Sequence, residues 1–308
     1  MSDNVLETHG LTRYYGRRCA LRELTLSVPR GCVFAFLGRN GSGKTTTIRL
    51  LLGLLAPTRG SSRVLGCDSR ILTPEVRGRI GYMSESHSLY GWMRVAEAGR
   101  FQAGFYPRWN QKIFQAVVDY FRLDARGKAR DLSRGERAGL SLALTLAGEP
   151  ELLILDDPAL GLDPVARRAL VESMIYFTRG QDRTIFFSSH LLSDVERVAD
   201  YIAVLDRGVL KARCTLDTFR ERVRRVVVRY RGTPPAVSAV PGLLYSTHEP
   251  GLLTLTIANY DPRTQQALAS AGATQVEDAP ISLEDAFIGY LGERGERSFF
   301  LSPMGVES

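Results

Sequence analysis

Short unbroken apolar runs, each closed by glycine or an acid, alternate along the chain with stretches of helical spacing. Val33 to Leu37, Leu152 to Leu155 and Thr184 to Ser188 read as buried strands, since a strand covered on both faces needs no polar alternation. Ile48, Leu51, Leu52 and Leu55 recur at helical intervals, and so do Ile113, Val117, Tyr120 and Phe121. The pattern is helical from Val95 to about Leu146, and Ile80 to Met83 and Ser62 to Leu65 are further short strands. Ahead of all this, Val5 to Thr12 and Leu21 to Val28 are short strands with turn residues between them, which predicts a small antiparallel β layer. Tyr201 to Leu205 and Val209 to Arg213 pair across Asp206-Arg207-Gly208 as a hairpin.

Beyond Thr215 the pattern changes. Arg224 to Tyr230, Leu243 to His248 and Leu252 to Ala258 read as antiparallel strands separated by Thr233-Pro234-Pro235, Pro241-Gly242 and Glu249-Pro250-Gly251. Helical spacing over Thr264 to Ala271 and Ser282 to Leu291, with a strand at Thr274 to Glu277 between, completes a small α+β domain. The expected organisation is an α/β domain over 1–213 with a helical subdomain at about 86–146, an accessory α+β domain over 214–292, and a poorly ordered tail over 293–308.

The stretch Gly38-Arg39-Asn40-Gly41-Ser42-Gly43-Lys44-Thr45-Thr46 follows the first buried strand and opens a helix. Four residues separate Gly38 from Gly43, and Lys44-Thr45 comes next, which is the spacing of a P-loop. Its backbone N–H groups would cradle phosphate oxygens at the helix N-terminus. Lys44 would reach the terminal phosphates, and the Thr45 hydroxyl would complete the shell of a Mg²⁺ ion. These features predict a P-loop NTPase core sheet.

Other residues carry chemistry of their own. Asp156-Asp157 ends the strand Leu152 to Leu155, and paired acids there are costly unless they bind a cation or hold a water. Ser133 stands two residues ahead of Gly135 and just before a helix, as an N-cap able to face an anion. Tyr15, in the turn Tyr14-Tyr15-Gly16, could stack on a nucleotide base, although such an aromatic also serves as packing. His190 follows Ser188-Ser189, and on its own reads as a capping or packed residue.

Composition adds limits. The formal charge is +7, and of 40 basic residues only Lys44, Lys112, Lys128 and Lys211 are lysines. The arginines are scattered, which argues against a nucleic-acid footprint. The densest basic run, Arg220-Glu221-Arg222-Val223-Arg224-Arg225, could touch anionic lipid or a partner, but a solvated helix face is the reading preferred. Cys19, Cys32, Cys67 and Cys214 form no Cys-x-x-Cys pair, as expected of reduced thiols in the cytosol. No stretch of about 18 apolar residues occurs, so any membrane role is expected to pass through another chain.

Taken together, the P-loop, Glu85 after a strand, Leu132-Ser133-Arg134-Gly135-Glu136, the paired acids, Gly161-Leu162-Asp163 and His190 fall in one order that resembles the ATP-binding subunit of ATP-binding cassette (ABC) transporters. The resemblance runs from about residue 5 to 213. It implies an ATPase in which two subunits, alike or different, close head to tail. The P-loop of one and Ser133 with Gly135 of the other would then grip a shared ATP. It implies that Tyr15 stacks on adenine, that the loop from Gly38 to Thr46 holds the phosphates, and that Thr45, Asp156 and Glu85 serve Mg²⁺ and its water. Asp157 takes the place of the catalytic base, Asp163 touches the opposite subunit, and His190 senses the γ-phosphate. Glu85 in place of glutamine, the appended domain, and Ser282-Leu283-Glu284-Asp285-Ala286-Phe287 resemble the exporter branch. That branch works with a separate transmembrane permease, so the chain is expected on the inner face of the cell membrane, docked through residues 86–130.

Three departures from the family pattern are visible. Asp157 replaces glutamate and draws the carboxylate back by one methylene; Arg134 replaces the first signature glycine; Glu136 replaces glutamine. They imply slow turnover, either in a homodimer or beside a partner that carries the glutamate. The alternative reading is a weakly hydrolysing or regulatory ABC ATPase acting on nucleic acid or the ribosome. The interval from Lys44 to Ser133 is too short for the coiled-coil arm usual there.

Overall fold

The computed structural model describes residues 3–178, 182–232 and 240–291, and divides into two compact units, Met1–Arg213 and Cys214–Ser308. The break at Thr233-Pro234-Pro235 and the tail over 293–308 lie outside the described residues.

The first unit opens with β1 (Asn4–Tyr15) and β2 (Arg18–Pro29), an antiparallel pair closed by the two-residue turn Gly16-Arg17. Both strands are longer than the apolar pattern indicates. Pairing continues through the polar positions Arg13 to Tyr15 because the partner residues Arg18 to Leu21 satisfy their backbone. Next come β3 (Val33–Leu37), α1 (Lys44–Leu51), β4 (Arg59–Val64), β5 (Cys67–Asp68), α2 (Pro74–Arg77) and β6 (Ile80–Met83). The helical region is three helices: α3 (Val95–Ala103), α4 (Gln111–Tyr120) and α5 (Arg134–Leu146). Asn110 caps α4 by accepting the N–H groups of Lys112 and Ile113. The buried positions of α4 are Phe114 and Val118, one residue on from the face that the spacing indicates, while Tyr120 is exposed.

β7 (Leu152–Leu155), α6 (Pro164–Thr178), β8 (Thr184–Ser189), α7 (Leu192–Val198), β9 (Tyr201–Asp206) and β10 (Val209–Thr215) complete the core. The outer sheet runs β2-β1-β4-β5 and the core sheet β10-β9-β3-β8-β7-β6. Within the core sheet β6, β7, β8, β3 and β9 are mutually parallel, and β3 and β7 are buried on both faces. Phe34 and Phe36 of β3 pack on Phe186 of β8 with ring centroids 5.8 and 5.4 Å apart.

In the second unit, α8 (Leu216–Arg222) leads into β11 (Val223–Tyr230), β12 (Leu243–Glu249), β13 (Leu252–Ala258), α9 (Pro262–Ser270), β14 (Ala273–Pro280) and α10 (Leu283–Leu291). The antiparallel sheet runs β12-β13-β11-β14, and Leu268 of α9 joins Val226, Val228, Leu253, Leu255 and Ile257 in its core. The run Arg220 to Arg225 is therefore not one helix face. α8 ends at Arg222 because the β-branched series from Val223 begins a strand, and Arg225 pairs with Asp285 at 2.9 Å.

Candidate functional site

Four chemistry-bearing segments leave the core sheet at one edge. β3 runs into the glycine loop, β6 into Glu85, β7 into Asp156-Asp157 and β8 into His190, and because these strands are parallel all four segments emerge at their carboxyl ends. There the chain encloses a cavity of about 510 Å³ lined by Tyr15, Arg18, Ala20, Arg39, Asn40, Gly41, Gly43, Lys44, Thr45, Thr46, Glu85 and Asp157.

The loop turns through Gly41 and Gly43, whose φ angles of 79° and 111° are left-handed. Gly38 leaves no room for a Cβ, which would strike the Ser42 hydroxyl. Lys44 is 6 % exposed, and its Nζ donates to the Gly38 carbonyl at 2.7 Å and stands 3.9 Å from Asp157 Oδ2. Burial draws its pKa down, opposed by the charges of Asp157, Asp156 and Glu85.

Thr45 Oγ1 donates to Asp156 Oδ1 at 3.2 Å, and Ser188 Oγ donates to the same oxygen at 2.9 Å. Ser188 Oγ also accepts the Asp157 N–H at 2.8 Å, so one hydroxyl ties the two acids to β8. Burial pushes the pKa of Asp156 up. A hydroxyl and a desolvated carboxylate meeting beside a phosphate cradle form the hard oxygen donor set that Mg²⁺ takes together with phosphate oxygens, and they fit that ion. Asp157 has a left-handed backbone, φ 46°, and its two carboxylate oxygens lie 2.8 and 3.0 Å from His190 Nδ1. Facing a carboxylate, Nδ1 donates, which leaves Nε2 for a second partner.

Ser133, Gly135 and Asp163 form a separate group that does not line the cavity. Ser133 caps α5 by accepting the Glu136 N–H at 3.3 Å, and Glu136 Oε2 accepts the Ser133 N–H at 2.7 Å. Asp163 Oδ1 caps α6 through the N–H groups of Val165 and Ala166. Tyr15 ends β1 half exposed, with the Arg13 guanidinium 4.9 Å from its ring centre. Sequence reasoning passed over Arg18 and Ala20, which enter the site only through the β1–β2 register. It also passed over Ser188, where the signal was a serine at the end of a buried strand opposite paired acids.

The parallel sheet with a glycine loop of P-loop spacing, a buried lysine and paired acids at one edge defines a P-loop nucleoside-triphosphatase fold. A sequence profile described as ABC transporter matches residues 21–160. Over 223 residues the chain is 32 % identical to the bacitracin transport ATP-binding protein BcrA of Bacillus licheniformis, covering 72 % of this chain and 73 % of BcrA. Over 301 residues it is 32 % identical to the daunorubicin/doxorubicin resistance ATP-binding protein DrrA of Streptomyces peucetius, covering 91 % of this chain and 88 % of DrrA. A solved ATP-binding subunit of an ABC transporter superposes with a TM-score of 0.64 at 31 % identity, over 70 % of this chain and 92 % of that one. The chain belongs to the ABC transporter family as one of its ATP-binding subunits, and its activity is ATP hydrolysis.

Proposed function

We propose that the chain couples ATP hydrolysis at this edge of the sheet to a separate membrane permease, and that Asp157 is the base. What carries the reading is the meeting of Lys44, Thr45, Asp156, Asp157 and His190, from strands far apart in sequence, through the Thr45–Asp156, Lys44–Asp157 and Asp157–His190 contacts beside a cavity that Lys44, Thr45 and Asp157 line. In this reading Lys44 and the amides from Arg39 to Thr46 hold the phosphates, with Gly38 turning the chain into the loop. Tyr15 offers the ring face opposite Arg13 to the adenine. Thr45 and Asp156 would hold Mg²⁺, with Glu85 serving the ion and its water; bound there, the ion would supply charge neutralisation on the phosphate oxygens. Asp157 accepts the proton of the attacking water, and His190, oriented through Nδ1, turns Nε2 to the γ-phosphate. Ser133, Gly135 and Asp163, outside the cavity, serve the nucleotide of a second ATP-binding subunit, identical or different.

The permease would dock on the helical subdomain. Tyr90, Trp92, Phe101 and Phe105 are 60, 67, 43 and 65 % exposed, and their rings form a ladder with successive centroid distances from 5.2 to 6.2 Å. An exposed aromatic ladder of that kind suits the apolar face of a short helix from a partner. Among the described residues no helix is long and apolar enough to cross a membrane. The names of BcrA and DrrA support outward transport of an antibiotic-like compound and a place on the cytoplasmic face of the membrane. Purified chain should release phosphate from ATP only with Mg²⁺, and Lys44→Ala should lower that rate at least about 100-fold. Equal rates in the two proteins would overturn the assignment.

A further inference from the structure

Arg134 stands at the first position of α5, where it is exposed, and among the described residues no carboxylate pairs with it. Its guanidinium lies instead on Gly161: a Cβ at that position would collide with Arg134 Nη1 and Cζ and come within 2.9 Å of Nε. The next residue repeats the contact, since a Cβ on Gly135 would stand 3.0 Å from Ala166 Cβ and 3.4 Å from Asp163 Oδ2. The tip of α5 thus rests on the 157–166 segment at two successive residues. That segment is short and turned on itself, with the Leu160 N–H donating to Asp157 O and the Leu162 N–H to Ala159 O. Gly161, at φ 68°, is separated by only three residues from Asp157. On another side the Arg134 charge reaches the buried ring of His87 and, after burial, helps to keep it neutral.

We propose that Arg134 is a positioning residue: its planar guanidinium, seated on the bare Cα of Gly161, holds the loop that carries Asp157 at one end and Asp163 at the other. The contact makes the two signature residues and the loop one mechanical unit within a single chain. A shift at the tip of α5 then moves the carboxylate that faces the cavity. Only the kinetic consequence rests on the base assignment for Asp157. The contact itself does not, and it can be tested without nucleotide.

Amide hydrogen exchange on the full chain separates the two. In Arg134→Ala the amides over 159–163 should exchange about tenfold faster, while those of β8 keep their rates. Arg134→Lys, which keeps the charge and loses the plane, should behave like the alanine variant. In the ATPase assay both variants should lose about tenfold in kcat with KM for ATP changed less than about twofold, because the Arg134 side chain is turned onto Gly161 of its own chain and Ser133 and Gly135 are left in place. Gly161→Ala should cost much less in the Arg134→Ala background than in the native chain, a coupling of roughly threefold or more. Unchanged exchange over 159–163, full rescue by lysine, or strict additivity with Gly161→Ala would each overturn the proposal. Altered exchange with unchanged kcat would keep the clamp and remove Asp157 as base.

Discussion

Asp157 is a left-handed, non-glycine residue in the site, with φ at 46° and both carboxylate oxygens turned to His190. Such a backbone costs of order 1 kcal/mol and persists where surroundings impose it, here through the Ser188 hydroxyl on its N–H. If Asp157 is the base, as proposed, its carboxylate reaches one methylene less far than a glutamate would, and base catalysis is sensitive to about 1 Å. Asp157→Glu should raise kcat about tenfold in a phosphate-release assay; an unchanged or lower rate would remove reach as the cause. His87 supplies the pH dependence at this scale. It is 3 % exposed, and burial followed by the Arg134 charge, against a weaker hydrogen bond with the Ser84 backbone, lowers its pKa from 6.5 to about 4. Since the unfolded ring takes up its proton near 6.5 and the folded ring only near 4, the contribution to stability is complete above pH 6.5 and is lost as pH falls toward 4. The loss amounts to about 3 kcal/mol at most. Urea unfolding of His87→Leu at pH 7.5 and 4.5 should show a smaller drop than the native chain, and equal drops would mean that the ring is already charged in the fold.

At the scale of elements, the order of strands and helices was readable because apolar runs and their turn residues are local. The P-loop was readable because its chemistry lies in one segment. Other features depend on pairing between distant segments. β1 and β2 run on through polar residues whose backbone only the partner strand satisfies, and the core order β3-β8-β7-β6 follows from no local pattern. The contact of Asp157 with His190 joins segments from two strands, and Ser188 looks unremarkable until β7 and β8 lie side by side. The helical region reads as one pattern, yet Pro107 and the Asn110 cap divide it, and the buried face of α4 falls on Phe114 and Val118. Ser188→Ala tests the pairing directly. It strands the buried Asp157 N–H and removes a donor from the Asp156 carboxylate, so stability should fall by about 2 kcal/mol and the first unit should melt roughly 5 °C lower by calorimetry. A shift below about 1 °C would mean that water replaces the hydroxyl at no cost.

At the scale of the molecule, hydrolysis is useful only if a change at the sheet edge reaches a partner. The helical subdomain is placed for that by its construction. Its inner face is a closed core of Val95, Phe114, Val118, Leu140 and Ala143, so α3, α4 and α5 move as a body; the exposed ladder is joined to it through Phe101 of α3, with Tyr90, Trp92 and Phe105 in the segments that flank that helix. β6 enters that body through Glu85 and the 84–92 segment, so nucleotide chemistry and docking surface are joined by a few residues of chain. If the ladder is the permease seat, a charge placed in it should break the complex and spare the cavity. Trp92→Glu or Phe105→Glu, co-expressed with a permease that the native chain co-purifies with, should reduce that co-purification at least about tenfold. The ATPase rate of the isolated variant should stay within about twofold, because neither ring lines the nucleotide cavity. Undiminished co-purification would place the permease on another face, and a parallel loss of ATPase would show that the substitution had disturbed the helical body itself.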